Sequence, residues 1–211
     1  DDGTHKVLVD PFLTGNPTAR ISADDVDCDF ILLTHAHGDH LGDAPSIAAR
    51  TGAGIVGIPE VIGLCETEAG KTLTSYPMNL GGALELPFGK VRMTLAQHSC
   101  GVPGGIACGF VIYIGSKVVY YSGDTALFSD MQLIGRKDTI DYAILPIGDN
   151  YTMGLEDAAQ AAQWVNAGHV IPVHYDTWPV IAQEVNHYKE VTEAMTRAVV
   201  CIVAPSDTIE L

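Results

Sequence analysis

Basic residues are scarce in this chain. Lys and Arg total 11 against 26 Asp and Glu in 211 residues, a formal net charge of −15. A nucleic-acid binder needs a basic face to displace backbone counterions, so this balance argues against such a partner. Anionic membrane surfaces repel the same acidic excess. A small anionic substrate stays open, because bound metal reverses the local field. Paired cysteines are lacking too. Cys28, Cys65, Cys100, Cys108 and Cys201 are odd in number and form no C-x-x-C spacing. A disulfide framework is therefore not expected, and a reducing, cytoplasmic compartment is. No apolar run approaches the ~18 residues of a membrane helix; the longest, 106–114, has the length of a strand. No linker, repeat or low-complexity tract interrupts the sequence, so residues 1–211 read as one domain. The sequence begins at Asp1 rather than Met, so natural residues ahead of it are expected.

What is present is ordinary globular material, 47% apolar and 18% charged, enough to build a core without covalent staples. Strands are expected at Lys6–Asp10, Phe30–Thr34, Ile55–Ile58, Val91–Ala96, Ala107–Ile114, Lys117–Ser122, Ile140–Ile147, Val170–Val173 and Val199–Val203. Gly115-Ser116 splits two of them as a hairpin turn. Helices are expected at Ala44–Arg50, Pro59–Glu68, Phe128–Gly135, Leu155–Asn166 and Glu184–Arg197. The Ala158–Ala162 stripe reads as a helix-packing face. Strands and helices alternate, which gives an α/β domain with helices covering sheet faces.

The chemistry concentrates in histidine. Three of the eight fall in Thr34-His35-Ala36-His37-Gly38-Asp39-His40, an H-x-H-x-D-H pattern. Neutral imidazoles and a carboxylate from one turn suit zinc, and also manganese, iron or nickel. The pattern follows an apolar strand. His98, Asp124 and His174 likewise follow the strands ending at Ala96, Ser122 and Val173. Ligands gather outside the carboxyl ends of strands in open α/β sheets, so one site fed by four strand ends accounts for all seven residues. Seven ligands fit two divalent ions, with open positions left for water.

These residues resemble the metallo-β-lactamase superfamily, in the family's order. Val9-Asp10-Pro11-Phe12-Leu13-Thr14-Gly15-Asn16-Pro17, Gly123-Asp124-Thr125, Pro146-Ile147-Gly148 with Tyr151-Thr152-Met153-Gly154, and Pro172-Val173-His174-Tyr175 resemble one branch of it. That branch comprises uncharacterised metal-dependent hydrolases similar to L-ascorbate-6-phosphate lactonase. The resemblance implies a four-layer αββα sandwich and a metal-held hydroxide as nucleophile. It implies His35, His37 and His98 on one ion, Asp39, His40 and His174 on the other, and Asp124 between them. Catalysis would then rest on His35, His37, Asp39 and Asp124. An opening strand with a Gly-His-Ser-like segment is expected in the family and is missing ahead of Asp1. Asp10 is implied to orient the histidine loop; on its own it reads equally as a strand-terminal turn residue. Asp149-Asn150 replaces the Gly-Asn of related sequences and is expected to add a carboxylate near the pocket.

The expected activity is hydrolysis of an ester, lactone or phosphoester of a small molecule. The alternatives are an RNA nuclease of the same superfamily, which the net charge opposes, and a non-catalytic metal-binding protein. A di-iron oxidoreductase would carry Glu at His37 and an attached flavin domain. Association into a homo-oligomer is left open. Tyr151, Asn150 and Asp149 are candidates for protonating the leaving group, although capping and turn chemistry explains them more simply. Gly52-x-Gly54-x-x-Gly57 matches a dinucleotide fingerprint but stands between a helix and a strand, the wrong order. Gly101–Gly105 reads as a connecting loop near His98. Cys100 reads as a buried structural thiol, and His5, His169 and His187 as non-ligands.

Overall fold

The computed structural model describes residues 1–211. Two sheets stack face to face. The first contains β1 (Val7–Val9), β2 (Phe30–Leu32), β3 (Gly54–Gly57) and β4 (Ser75–Pro77), all parallel in that order. The second has seven strands: β5 (Ala83–Leu86), β6 (Gly89–Leu95), β7 (Cys108–Ile114), β8 (Lys117–Tyr121), β9 (Tyr142–Pro146), β10 (His169–Val173) and β11 (Val199–Val200). They lie in the order β11-β10-β9-β8-β7-β6-β5. The β5–β6, β6–β7 and β7–β8 pairs are antiparallel, and β8 to β11 run parallel. It follows that β6, β8, β9 and β10 end at the same edge.

Helices cover both outer faces. A single turn, α1 (Gly38–Leu41), precedes α2 (Ala44–Thr51) and α3 (Pro59–Ala69), which join the first sheet's core. On the second sheet lie α4 (Met131–Lys137), α5 (Leu155–Val165) and α6 (Val185–Met195). The architecture is the expected αββα sandwich. No helix is long and apolar enough to cross a membrane.

Two apolar cores hold the layers. Between the sheets and under α2 and α3 lie Ile31, Leu32, Ile55, Val56, Val91, Met93, Phe110 and Ile112, all buried. The opposite face of the second sheet packs Val111, Tyr120, Ala143 and Leu145 against the helices. Alternate β7 residues thus enter different cores, as the two-residue period of a strand requires. β2 and β3 are buried on both faces, which explains their unbroken apolar composition. In α5, Ala158, Ala159, Ala161 and Ala162 are all buried, the packing face read from the sequence.

Most expected elements lie within a residue or two of their observed bounds. The fourth helix starts at Met131 rather than Phe128, and the last strand has only two residues. β4, β5 and α1 were not anticipated. All three have four residues or fewer. The helix–glycine–strand order around Gly52–Gly57 excludes a dinucleotide turn.

Candidate metal centre

The site begins where β2 runs out of apolar residues. Past Leu32 the chain leaves the sandwich as Thr34-His35-Ala36-His37, then takes the single turn of α1. Buried Leu41 anchors that turn from below. The turn carries His40 round to the side where His35 points, and their ring centroids lie 4.1 Å apart. Gly42 then reverses the chain at φ 42°, a region that penalises side chains. A Cβ there would sit 2.1 Å from the Pro11 carbonyl oxygen, so no larger residue fits without backbone movement. The Asp43 N–H donates to that same oxygen at 2.8 Å. The Asp43 carboxylate accepts the Leu13 and Thr14 N–H groups at 2.8 Å each. These bonds tie the loop after β1 to the histidine segment.

The other strand ends are tied in similarly. The Gln97 N–H donates to Thr125 Oγ1 at 3.0 Å, joining the loops after β6 and β8. The Ala36 N–H donates to the Cys100 carbonyl at 2.7 Å. Gly101, at φ +79°, lies so close to His37 that a Cβ would fall 2.8 Å from its ring. His174 closes β10 in the left-handed region at φ 56°, a costly conformation for a residue with a side chain.

All seven sequence-expected residues meet at one point. His35 Nε2 lies 3.0 Å from His37 Nδ1, and His98 Nε2 lies 3.3 Å from the same atom. Asp39 Oδ2 is 3.4 Å from His174 Nε2 and 3.7 Å from His40 Nε2. Asp124 Oδ2 stands between the groups, 3.3 Å from His40 Nε2, 3.3 Å from His174 Nε2 and 3.7 Å from His98 Nε2. His35, His37 and His98 form one triplet of donor atoms within 4.8 Å of one another, and Asp39, His40 and His174 form a second. Asp10, His35 and His40 form a third. The Asp10 carboxylate, however, is already committed. It accepts the Thr34 N–H at 2.8 Å, the Thr34 hydroxyl at 2.6 Å and His40 Nδ1 at 2.9 Å. Asp10 therefore orients the ligand segment and does not compete for an ion.

Whether these residues fit a cation can be decided from their protons. The Thr34 hydroxyl gives its hydrogen to Asp10, so its oxygen is free to accept from His35 Nδ1, 2.9 Å away. With the proton on Nδ1, the lone pair of His35 Nε2 faces His37 and His98. His40 likewise gives its Nδ1 proton to Asp10, and its Nε2 faces Asp39 and Asp124. That Nε2 is buried without a hydrogen-bond partner. Lone pairs and carboxylates turned toward one another repel unless positive charge lies among them. The donor set therefore fits divalent metal.

Electrostatics agree. Burial, then the charge of His40, pushes the His35 imidazole down to about 2, so it stays neutral. Burial also lowers His98. Burial works against charge on Asp39 and Asp124, but hydrogen bonds to His174 and His40 respectively outweigh it and keep both ionised. His40 differs. Burial opposes its charged form, yet the Asp10 and Asp124 carboxylates beside it prevail and hold its pKa well above the ordinary value, so Nε2 carries either a proton or a metal. Positive charge is drawn to the point where a cation would sit.

Above the cluster opens a cavity of about 750 Å³. His37, Asp39, His98, Asp124 and His174 form its floor, and Ser99 adds a hydroxyl 3.2 Å from His37 Nε2. Phe12, Tyr151, Trp178 and Val180 form the walls. Phe12, Trp178, Val180 and Ser99 were not singled out from the sequence. Their one signal was adjacency: each lies within six residues of Asp10, His98 or His174. Tyr151 reaches the cavity, whereas Asp149 and Asn150 do not line it. Both occupy left-handed turn conformations, consistent with turn chemistry. Cys100 is buried, as expected.

Comparison with known proteins places this geometry. A beta-lactamase superfamily domain model matches residues 5–175. A UPF0173 metal-dependent hydrolase from Natranaerobius thermophilus is 44% identical over 210 residues, covering 100% of this chain and 93% of that protein. Another, from Pelotomaculum thermopropionicum, is 44% identical over 218 residues, covering 100% and 94%. Igni18, a novel metallo hydrolase from the hyperthermophilic archaeon Ignicoccus hospitalis, has a solved structure 35% identical in sequence. It superposes with a TM-score of 0.87 over 96% of this chain and 89% of its own. The likeness to L-ascorbate-6-phosphate lactonase rests on the sequence motifs alone. Strand-end ligands, αββα layers and these relatives converge on one assignment: the chain belongs to the beta-lactamase superfamily, among the UPF0173 metal-dependent hydrolases.

Proposed function

We propose that this protein is a dinuclear metal-dependent hydrolase that cleaves an ester, lactone or phosphoester of a small molecule. His35, His37 and His98 would hold one ion, and Asp39, His40 and His174 the other, with Asp124 between them. Zinc suits the nitrogen-rich set best, with manganese, iron or nickel as alternatives. When bound, such ions supply Lewis acidity and bring a water's pKa toward neutrality.

The chain's own groups set up the rest. Asp39 is the more open carboxylate of the floor, its side chain 26% exposed against 5% for Asp124. It stays ionised and orients the attacking water by accepting its hydrogen bond. Asp10 and Thr34 hold the imidazoles in the tautomers that turn lone pairs inward. The water oxygen bonds to the carbonyl or phosphoryl centre, the bond to the leaving oxygen breaks, and a water proton passes to that oxygen. The cavity admits a small molecule and carries no Lys or Arg on its lining, which speaks against a nucleic-acid substrate. We place the protein in the cytoplasm, since its five cysteines are all unpaired.

The observation that carries the proposal is the buried, unpartnered His40 Nε2 facing two ionised carboxylates. The test is metal analysis of purified protein, with hydrolysis measured across carboxylic esters, lactones and phosphoesters, before and after chelation. About two ions per chain and chelator-sensitive turnover, lost in H37A, are expected. Metal-replete protein inactive on every substrate overturns the proposal.

A further inference from the structure

The floor of the cavity says how bonds are broken; its walls say whose. We infer that the substrate is an uncharged ester or lactone bearing a flat apolar group, and that Trp178 with Phe12 forms the surface selecting it. This deepens the hydrolase reading above and rests on it.

Three observations converge. First, the walls are apolar and aromatic. The Phe12 and Trp178 rings lie 5.8 Å apart at 35°, and Tyr151 and Val180, each more than half exposed, stand at the opening. Large exposed apolar side chains grouped at a cavity mouth mark a binding surface. Second, the lining offers no side chain apart from the metal ligands that would hold an anion's charge. The only acidic side chains on the lining are Asp39 and Asp124, and both belong to the metal-binding set. Phosphate recognition typically enlists Arg or Lys, and the lining has neither. Third, the wall is set in advance. Trp178 leads into a short turn whose Ile181 is fully buried. The Asp176 N–H donates to the Ile181 carbonyl at 3.0 Å, the Gln183 N–H to Asp176 Oδ1 at 2.9 Å, and Gln183 Nε2 to the Gly148 carbonyl at 3.2 Å. A wall fixed before binding loses little entropy when a planar group stacks on it. In the reaction, water's oxygen joins the acyl carbon, the acyl–oxygen bond breaks, and the released alkoxide takes a water proton.

The test has a binding arm that needs neither metal nor turnover. Trp164 and Trp178 are the only tryptophans, so W164F leaves Trp178 as the sole indole emitter, excited selectively over tyrosine. Titration with 4-nitroacetophenone, a neutral planar quencher that cannot be hydrolysed, should quench it saturably. F12A should weaken that binding about 2–10-fold, the range for loss of one aromatic contact, and inorganic phosphate should not compete. Linear, unsaturable quenching, or displacement by phosphate at equal concentration, overturns the inference. The kinetic arm compares methyl 4-nitrobenzoate, methyl acetate and 4-nitrophenyl phosphate on metal-loaded enzyme. The W178A variant should lower the kcat/KM preference for the nitrobenzoate over the acetate at least fivefold, and W178F should restore most of it. An unchanged preference, or a preference for the phosphate ester, sinks the inference and leaves hydrolysis standing. Turnover of none of the three counts against the hydrolase reading instead, and the titration still judges the wall.

Discussion

Asp10 Oδ2 lies 2.9 Å from His40 Nδ1, with both side chains almost wholly buried. The same carboxylate takes two hydrogen bonds from Thr34, so one acid sets the tautomers of two histidines. In D10N the amide cannot accept from all three donors at once. Metal affinity should fall 10–100-fold, the usual effect of losing a group that orients a ligand. Competition with a chromophoric chelator measures this, and unchanged affinity would remove Asp10 from the orienting role.

The ligands run from His35 to His174, so an ion joins both sheets only in the folded state. Zinc at about 100 times its dissociation constant should stabilise the protein by ~2.7 kcal/mol. For a chain of this size that is a Tm rise of roughly 5–10 °C. Calorimetry with zinc and with chelator checks it, and the rise should be much smaller in H35A.

Asp43 carries a sign-definite pH dependence. Burial raises its pKa, but hydrogen bonds from Thr14 and Leu13 outweigh it and leave the folded value below the ordinary 3.8. A depressed carboxyl contributes stability that is complete above the unfolded pKa and lost as pH falls through the folded one. The D43N variant should therefore cost about 1–3 kcal/mol at pH 7. The gap to the unsubstituted protein should narrow as pH drops below 3.8. Urea unfolding at pH 7 and in that acid range measures both.

Gly42 offers a steric test. The G42A variant would force its methyl group onto the Pro11 carbonyl oxygen at a backbone angle alanine avoids. A loss of at least ~2 kcal/mol is expected from strain alone, with metal uptake impaired in parallel. G52A should do less harm: its φ is also positive, at +78°, but nothing lies within 4 Å of the added carbon.

The thiols divide four to one. Cys28, Cys65, Cys100 and Cys108 are buried, and burial pushes Cys65 up to about 12 and Cys108 well above its ordinary value. Only Cys201 is partly exposed. Ellman's reagent should titrate one thiol quickly in native protein and five after unfolding. Rapid reaction of Cys100 would contradict its burial.

The residues that meet at the floor could be named from sequence because each stands at the end of an apolar strand. Strand ends are marked by composition, and parallel strands share an edge. Of the walls, only Tyr151 was named as a site candidate, and for proton transfer. Phe12 and Trp178 are 166 positions apart, and only the stacking of the sheets brings their rings together. β4 escaped for a related reason. Ser75-Tyr76-Pro77 has little strand character, and pairing with buried β3 makes it a strand. The late start of α4 is local: Phe128 is buried ahead of the helix, so its apolar character marks packing and not helical structure.

The floor hangs from the regular strands of both sheets, while Phe12, Tyr151, Trp178 and Val180 sit on the segments that link them. Selection can thus rework the linking segments to recruit new molecules while the bond-breaking apparatus stays untouched.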